Sequence, residues 1–587
     1  MRSKAVLSFV TFALFAVYSQ SLPPGVQKKA SVAGITEYEF PNGLRVLLYP
    51  NPASPKITVN VTYLVGSRHE GYGETGMAHL LEHMNFIETT NRRQIKNEIV
   101  SRGAAWNGTT SYDRTNYFET VPATDENLNW ALGLETDRMV NVKFTKQILD
   151  TEMTVVRNEF ERGENSPASI LRERVEATAY LWHNYGKSTI GNRSDIERVP
   201  VENLRDFYKR FYQPDNAMLV VAGKYDEKKA LDFIVKYFGA LKKPQRKTQN
   251  TYTDEPAQDG ERQVNLRRVG TVGVIGAIYH IPAGSHTDFA AVQVLEDCLT
   301  SEPAGRVYKA LVETKKATSV SGSAFAWHDP GVVEITAKVE TVSGIEGARE
   351  ALTGTIEGLE KMPITEDEVN RSKLRFQKYN EQLLSSSDRF AVQLSEWAGA
   401  GDWRLFFLHR DRLEKVTAAD VNRVALKYLT RNNRTVGMFV PTEKAERVTI
   451  PETPEVAKLL EGYKGRASLA VGEAFDTSPE NIDKRVVRGT LGNLKTAFLE
   501  KKTRGEIVDL RLNFCTRFPS TSAMYRFPSA SNASMCGILN WPTPSPGRPQ
   551  RLLTLPRSST TGEVAVHPVE VVAVTAPSAQ FGRRASA

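Results

Sequence analysis

Residues 76–86, GMAHLLEHMNF, set His79 and His83 four apart, with Glu82 immediately before the second histidine. On a helix the two imidazoles stand one turn apart on the same face, and Glu82, three after His79, flanks them. Two readings compete. In one, an amphipathic helix buries Leu80 and Leu81 and satisfies its histidines with hydrogen bonds. In the other, neutral imidazoles at i and i+4 share a zinc ion, with a carboxylate beside it to handle a proton. A catalytic zinc needs a third protein ligand, so the rest of the chain has to decide.

Working outward, ITEYEFPNGLRVLLYP (35–50) reads as a strand pair around an Asn-Gly turn. KITVNVTYLVG (56–66) alternates strictly at Ile57, Val59, Val61 and Tyr63, the period of a strand. Helical patterns cover 74–86 and 91–103, and AAWNGTTSYDRTNYFETVP (104–122) is rich in strand-forming residues. Helices are expected at 124–139, 146–162, 166–182 and 226–238, with the strand AMLVVAG at 217–223. Residues 242–263 are polar without apolar period and read as a linker.

A similar order then recurs. Strands are expected at 271–280, within 318–340 and at 435–441, and helices at 287–300, 304–315, 342–361, 365–386 and 417–429. The fold class is therefore α+β, built from tandem units at 30–241 and 264–445, each a mixed sheet packed with helices. After a linker at 446–481, IDKRVVRGTLGNLKTAFLEKKTRGEIVDLRLNF (482–514) repeats the pattern of 35–65 and starts a third unit. That unit is incomplete. Residues 515–587 carry nine prolines, seven arginines and no lysine, and read as a disordered or frameshifted tail.

The formal net charge is +8, of which the tail supplies +5, seven arginines against two glutamates. The body is close to neutral, and no basic helix with interleaved aromatics argues for nucleic acid. Hydrophobic residues at 40% and charged residues at 25% are ordinary for a globular protein. MRSKAVLSFVTFALFAVYSQS (1–21) has Arg2 and Lys4, an apolar run and then small polar residues, the order of a secretory signal cleaved after Ser19 or Ser21. The mature protein is expected to be exported, periplasmic or secreted, without a membrane span. Cysteines occur only at 298, 515 and 536, which excludes thiolate zinc clusters and leaves histidine and carboxylate as metal ligands.

A further carboxylate lies in DTEMTVVRNEFERGEN (150–165), where Glu152 and Glu159 are seven apart and share a helix face. On its own such a pair is usually a solvated helix surface. The context changes this. GSRHEGYGETGMAHLLEHMNF (66–86), followed 76 residues after His83 by the glutamate of TEMTVVRNEF (151–160), resembles the pitrilysin/insulinase family of inverted-zincin metallopeptidases. NGTTSYDRTNYFETVP (107–122), ALGLETDRM (131–139), STIGNRSDIERVPVENLRDFYKRFYQPDNAMLVVAG (188–223) and GRVYKALVETKKATSVSG (305–322) agree with it, so the resemblance covers about residues 30–450 and the start of the third unit.

The resemblance implies one Zn2+ per chain on His79, His83 and Glu159. It makes Glu82 the general base on the zinc-bound water, and Glu152 an outer carboxylate orienting a ligand histidine. It implies a peptide or unfolded polypeptide substrate, added as a strand along an edge at Asn107, Gly108 and Thr109. His69, His183 and His328 fall outside any ligand spacing, and Arg306 and Tyr308 are expected to serve packing. Family members close a chamber from two halves, each a pair of units. Here the second pair stops short, so a second chain would have to supply the missing half. Without it, a weakly active or silent peptide-binding subunit is the alternative to an endopeptidase.

Overall fold

The computed structural model describes residues 22–245, 251–340, 342–466, 471–492, 494–502, 509–513 and 570–575. The expected signal segment 1–21 lies outside them. The chain divides into two compact parts, one ending at Val448 and the other beginning at Thr449.

The first part is built on two sheets. One holds β1 (Gln27–Val32), β2 (Ile35–Glu39), β3 (Arg45–Pro50), β4 (Lys56–Tyr63), β5 (Ala105–Thr110), β6 (Thr115–Pro122) and β7 (Ala217–Gly223), in the order β1-β2-β3-β7-β4-β6-β5. Only β3 and β7 run parallel. The other sheet holds β8 (Arg262–Val269), β9 (Gly273–His280), β10 (Ser319–Ala324), β11 (Val332–Val339) and β12 (Arg434–Thr442), in the order β10-β11-β9-β12-β8 with β8 and β12 parallel. The second order repeats the first as β5-β6-β4-β7-β3, which establishes the tandem α+β architecture.

The helices of the first half are α1 (Met77–Met84), α2 (Ile95–Ser101), α3 (Asp125–Val140), α4 (Lys146–Glu164), α5 (Pro167–Ala179), α6 (Arg193–Arg198), α7 (Val201–Phe211) and α8 (Glu227–Tyr237). Those of the second are α9 (Phe289–Thr300), α10 (Arg306–Tyr308), α11 (Ile345–Glu357), α12 (Glu366–Leu384), α13 (Ser387–Gly399), α14 (Leu405–Lys415) and α15 (Ala418–Tyr428). The strict alternation of β4 would ordinarily mark a strand with one wet face. Here both faces are covered. Ile57, Val59, Val61 and Tyr63 join the core beneath α1, α3 and α7. On the other face Asn60 donates to the Ala391 carbonyl at 3.1 Å and to Ser395 at 3.3 Å on α13.

The two halves thus exchange cover. Phe390, Ala391, Leu394 and Ala398 of α13, with Phe406 and Phe407 of α14, pack on Leu47, Met218, Val220 and Ala222 of the first sheet. In return Ile170, Leu171 and Val175 of α5 pack on Val274, Ile278 and Phe439 of the second. Each fully buried Leu or Phe contributes about 1.5–3 kcal/mol, enough to make the pair of sheets one cooperative body.

Gly437 marks the closest approach: a Cβ there would lie 2.3 Å from Val175 Cγ2 and 2.9 Å from Leu171 Cδ1. Gly437→Val is therefore expected to destabilise the first part by about 3 kcal/mol through overpacking. Urea unfolding checks this, since an unchanged midpoint would mean that α5 does not seat there.

Several expectations need correction. The polar stretch taken as linker to residue 263 gives way at Arg262 to β8, whose burial alternates with Val264 and Leu266 facing inward. Residues 193–211 and 387–415 form α6, α7, α13 and α14, none of them anticipated. The helix expected over 304–315 is a short turn at Arg306–Tyr308 running into a π-helical turn at Lys309–Glu313.

In the second part, β13 (Val486–Leu491), β14 (Leu494–Glu500), β15 (Asp509–Asn513) and β16 (Glu570–Thr575) form a sheet in the order β13-β14-β16-β15. β14 and β16 are parallel and the other pairs antiparallel. This is the order β2-β3-β7-β4 again, so a strand from the tail stands where β7 stands in the first sheet. The rest of the tail lies outside the described residues.

Candidate metal centre

α1 runs beneath the edge of the first sheet, with Met77, Ala78, Leu80, Leu81 and Met84 buried in the core. Its N-terminus is capped from outside. Glu70 accepts the amides of Gly76 and Ala78, both at 2.9 Å, satisfying donors that the helix itself leaves free. With the apolar side pinned, His79, Glu82 and His83 face a cleft of about 490 Å³ that Trp106, Asn107, Gly108, Thr109 and Glu159 also line.

α4 starts at the Thr145 cap, whose hydroxyl accepts the Ile148 amide at 3.2 Å, and crosses α1 so that its glutamates reach the histidines. Glu159 Oε2 lies 3.5 Å from His79 Nε2 and 3.5 Å from His83 Nε2. These separations are long for hydrogen bonds but match the edge of a tetrahedron of ligands about 2.0–2.1 Å from a shared zinc ion. The donor set fits the ion, and the three residues form the group of potential metal ligands found among the described residues. Glu152, two turns earlier and buried, places Oε2 3.5 Å from His83 Nδ1, on the far side of that ring from the cluster.

The electrostatics suit a cation. Burial, helped by the neighbouring His83, pulls His79 down to about 4, so its imidazole is neutral at pH 7. Burial also disfavours charge on His83, but Glu152, Glu82 and Glu159 outweigh it and raise its pKa. Three carboxyl groups and two imidazoles held this close carry surplus negative potential that a divalent ion would relieve. Glu82 is itself raised by burial, with His83 and the Thr110 hydroxyl partly offsetting the rise.

The edge residues named from sequence stand over the same cleft. β5 is the last strand of its sheet and pairs only with β6, with Asn107, Gly108 and Thr109 opposite Phe118, Tyr117 and Asn116. The strand passes so close to α1 that a Cβ on Gly108 would meet Glu82 Oε1 at 2.7 Å and the Phe86 ring at 2.8 Å. Its outer amides and carbonyls have no strand beyond them among the described residues.

The other histidines weighed from sequence, His69, His183 and His328, have partners of their own. His69 is half-buried and accepts the Gly66 amide at 3.2 Å, and His183 lies 3.1 Å and His328 2.8 Å from Asp329 carboxylate oxygens. Arg306 forks onto Glu368 at 2.7 and 2.8 Å and donates to the Pro363 carbonyl, clamping the start of α12, as a packing role requires.

Residues 45–193 match the family model described as insulinase (peptidase family M16), and residues 198–376 match the one described as peptidase M16 inactive domain. The chain belongs to the pitrilysin/insulinase family. Zinc protease PqqE of Helicobacter pylori is 29% identical over 407 residues, covering 68% of this chain and 91% of the relative. The crystal structure of a protease from Helicobacter pylori superposes with a TM-score of 0.66 at 27% identity, over 69% of this chain and 99% of that one. The periplasmic protease PqqL from Escherichia coli, 17% identical, shares the fold with a TM-score of 0.58; the alignment covers 82% of this chain but 57% of that protein. The family reading establishes a zinc-peptidase type of protein.

The inactive-domain match has a counterpart in residues that the sequence reading passed over. α9 follows β9 as α1 follows β4, and Glu296 lies under Gly322 of β10 as Glu82 lies under Gly108. At the spacing of the two histidines α9 carries Gln293 and Asp297 instead. Arg375 of α12 sits seven after Glu368, as Glu159 sits seven after Glu152, and donates to Asp297 at 3.0 and 3.1 Å. A guanidinium–carboxylate pair thus stands in the second half where the first has its ligand cluster. The signal was present as an E-D pair three after a glutamine, but no motif flags it.

Proposed function

We propose that the protein is a zinc-dependent endopeptidase acting on peptides or unfolded segments. The observation that carries this reading is the convergence of His79 Nε2 and His83 Nε2 on Glu159 Oε2, each at 3.5 Å, with Glu82 on the same helix as the histidines and facing the same cleft. His79, His83 and Glu159 hold one zinc ion, and Glu152 steers His83 from behind. Bound zinc supplies a Lewis acid for the scissile carbonyl and for water. Glu82 takes a proton from the attacking water on its cleft-facing carboxylate and returns it to the leaving amine nitrogen. Asn107, Gly108 and Thr109 hold the substrate as an added antiparallel strand, whose main-chain pairing is indifferent to most side chains.

The domain plan that goes with this has a signal at 1–21, a zinc-bearing unit at 30–241 and a non-catalytic unit at 264–445. A linker follows at 446–481, then the start of a third unit at 482–514 and the tail at 515–587, whose β16 joins the sheet of that unit. The order of charged, apolar and small residues at the N-terminus supports export, and no helix among the described residues is long and apolar enough to cross a membrane. The likeness to a protein titled periplasmic protease points the same way.

A second reading, a weakly active or silent peptide-binding subunit, is favoured by one fact: residues 198–376 match a family model described as an inactive domain. One experiment separates them. Purified protein is expected to cleave an unstructured fluorogenic peptide, to lose that activity on dialysis against a chelator and to regain it with about one equivalent of zinc per chain. Peptide binding without any metal-dependent turnover would leave the second reading.

A further inference from the structure

Glu82 is gripped at one oxygen. Its Oε2 accepts a hydrogen bond from the Thr110 hydroxyl at 3.0 Å, while no hydrogen bond from the described residues reaches Oε1, which lies toward Gly108. The end of β5 that carries Thr110 is itself pinned. Arg114 donates to the Thr109 carbonyl at 2.7 Å and to Asn116 Oδ1 at 2.9 Å, and its other terminal nitrogen pairs with Glu396 of α13. The Arg114 side chain is buried under α13, and a Cβ on Gly399 would lie 3.0 Å from its Cγ. Asn116 continues the path: its amide donates to Asn60 at 2.8 Å, and Asn60 donates to the Ala391 carbonyl of α13. A polar chain therefore runs from the second half of the molecule, through Arg114 and the strand end, to the glutamate in the cleft.

We propose that Thr110 is a positioning residue for Glu82, and that Glu396 on the non-catalytic half sets Thr110 through Arg114. The proposal rests on the reading of Glu82 as general base. A carboxylate on two flexible methylenes samples several rotamers. Fixing one oxygen presents the other to the reacting water in one orientation, and loss of such orientation lowers the rate without loss of binding. The guanidinium suits the relay because its planar fork holds a carbonyl and a carboxylate at once. The arrangement also gives the second half, whose own ligand positions hold Gln293 and Asp297, a part in the chemistry of the first.

The alternative is a threonine that merely suits a strand and satisfies a buried oxygen. Kinetics of the full chain on a fluorogenic peptide separate the two. Thr110→Val keeps the shape and removes the hydroxyl; it is expected to keep about one zinc per chain and KM within about twofold, while kcat falls about tenfold. Thr110→Ser is expected to restore kcat to within about twofold of the parent. Glu396→Gln is expected to lower kcat about threefold alone and to add nothing to Thr110→Val, because both act on one path. An unchanged kcat in Thr110→Val, or a Ser variant as slow as the Val variant, overturns the role of Thr110. A Glu396→Gln effect that multiplies with that of Thr110→Val overturns the relay.

Glu82→Gln in the same series keeps the two levels apart. If it cleaves like the parent, the general-base reading fails; if it is dead while Thr110→Val is unimpaired, only this proposal fails. Should the parent show no turnover, crystal structures of parent and Thr110→Val decide. An identically oriented Glu82 in both contradicts the proposal, and a displaced Glu82 in the Val variant supports it.

Discussion

Glu82→Gln is expected to leave the protein folded and loaded with about one zinc while kcat for peptide cleavage falls about a thousandfold, the scale of general acid–base catalysis. The amide has nearly the volume of the carboxylate, and its oxygen still accepts the Thr110 hydroxyl, which donates at 3.0 Å in the parent. His79, His83 and Glu159 are untouched, so the metal stays. What is lost is the capacity to take a proton from water and give it to the leaving nitrogen. KM is expected to stay within about threefold, because the β5 edge that pairs with substrate is unchanged. Steady-state kinetics together with metal analysis of the same sample check this. Full cleavage by the variant would remove Glu82 from the mechanism.

The second large effect concerns stability. Arg138 on α3 is fully buried, with one terminal nitrogen donating to both Glu119 and Glu135, which are also fully buried. Its guanidinium lies 5.0 Å from the ring centres of Phe86 and Tyr117, directly beside the helix that carries the histidines. One cation cannot neutralise two carboxylates. Burial, and then the neighbouring Glu119, pushes the Glu135 carboxyl well above its usual range against the pull of Arg138, so Glu135 holds its proton. Arg138→Met fills most of the space but leaves the acidic pair without its cation. The expected loss is about 3–5 kcal/mol, the cost of stranding a buried charge. Urea unfolding measures it. A loss below about 1 kcal/mol would show that the cluster is solvated and contributes little.

How much of this could be read from the residues depends on what each element faces. β4 and α1 were legible because one side of each meets the core at the period of its own secondary structure. α13 was not. Phe390, Ala391, Leu394, Ser395, Trp397 and Ala398 are all buried, since the helix is wedged between the first sheet and its own half, and no clean stripe survives. β8 was missed for the opposite reason: Arg262 and Arg268 take inward positions on either side of Val264 and Leu266 and make the strand look like linker. β16 drew no notice because its run of valines sits in a proline-rich tail, and its place between β14 and β15 is a property of topology.

In the site, the spacing of His79, Glu82 and His83 is local and was visible at once. Glu159 lies on another helix and was reached only through family resemblance, because seven-residue glutamate spacing is common on wet helices. Thr110 and Arg114 fall within NGTTSYDRTNYFETVP (107–122), but nothing in that stretch singles them out, and Glu396 carries no motif. Their link to Glu82 exists only once β5 has been laid across α1 and α13 has crossed from the other half.

The central claim is that His79, His83 and Glu159 hold a zinc ion. Crystals of the zinc-loaded protein, measured on both sides of the zinc absorption edge, test it most directly. The expected result is one anomalous peak per chain, about 2.0–2.1 Å from His79 Nε2, His83 Nε2 and Glu159 Oε2. A chain that binds zinc elsewhere, or binds it here without Glu159, would contradict the account.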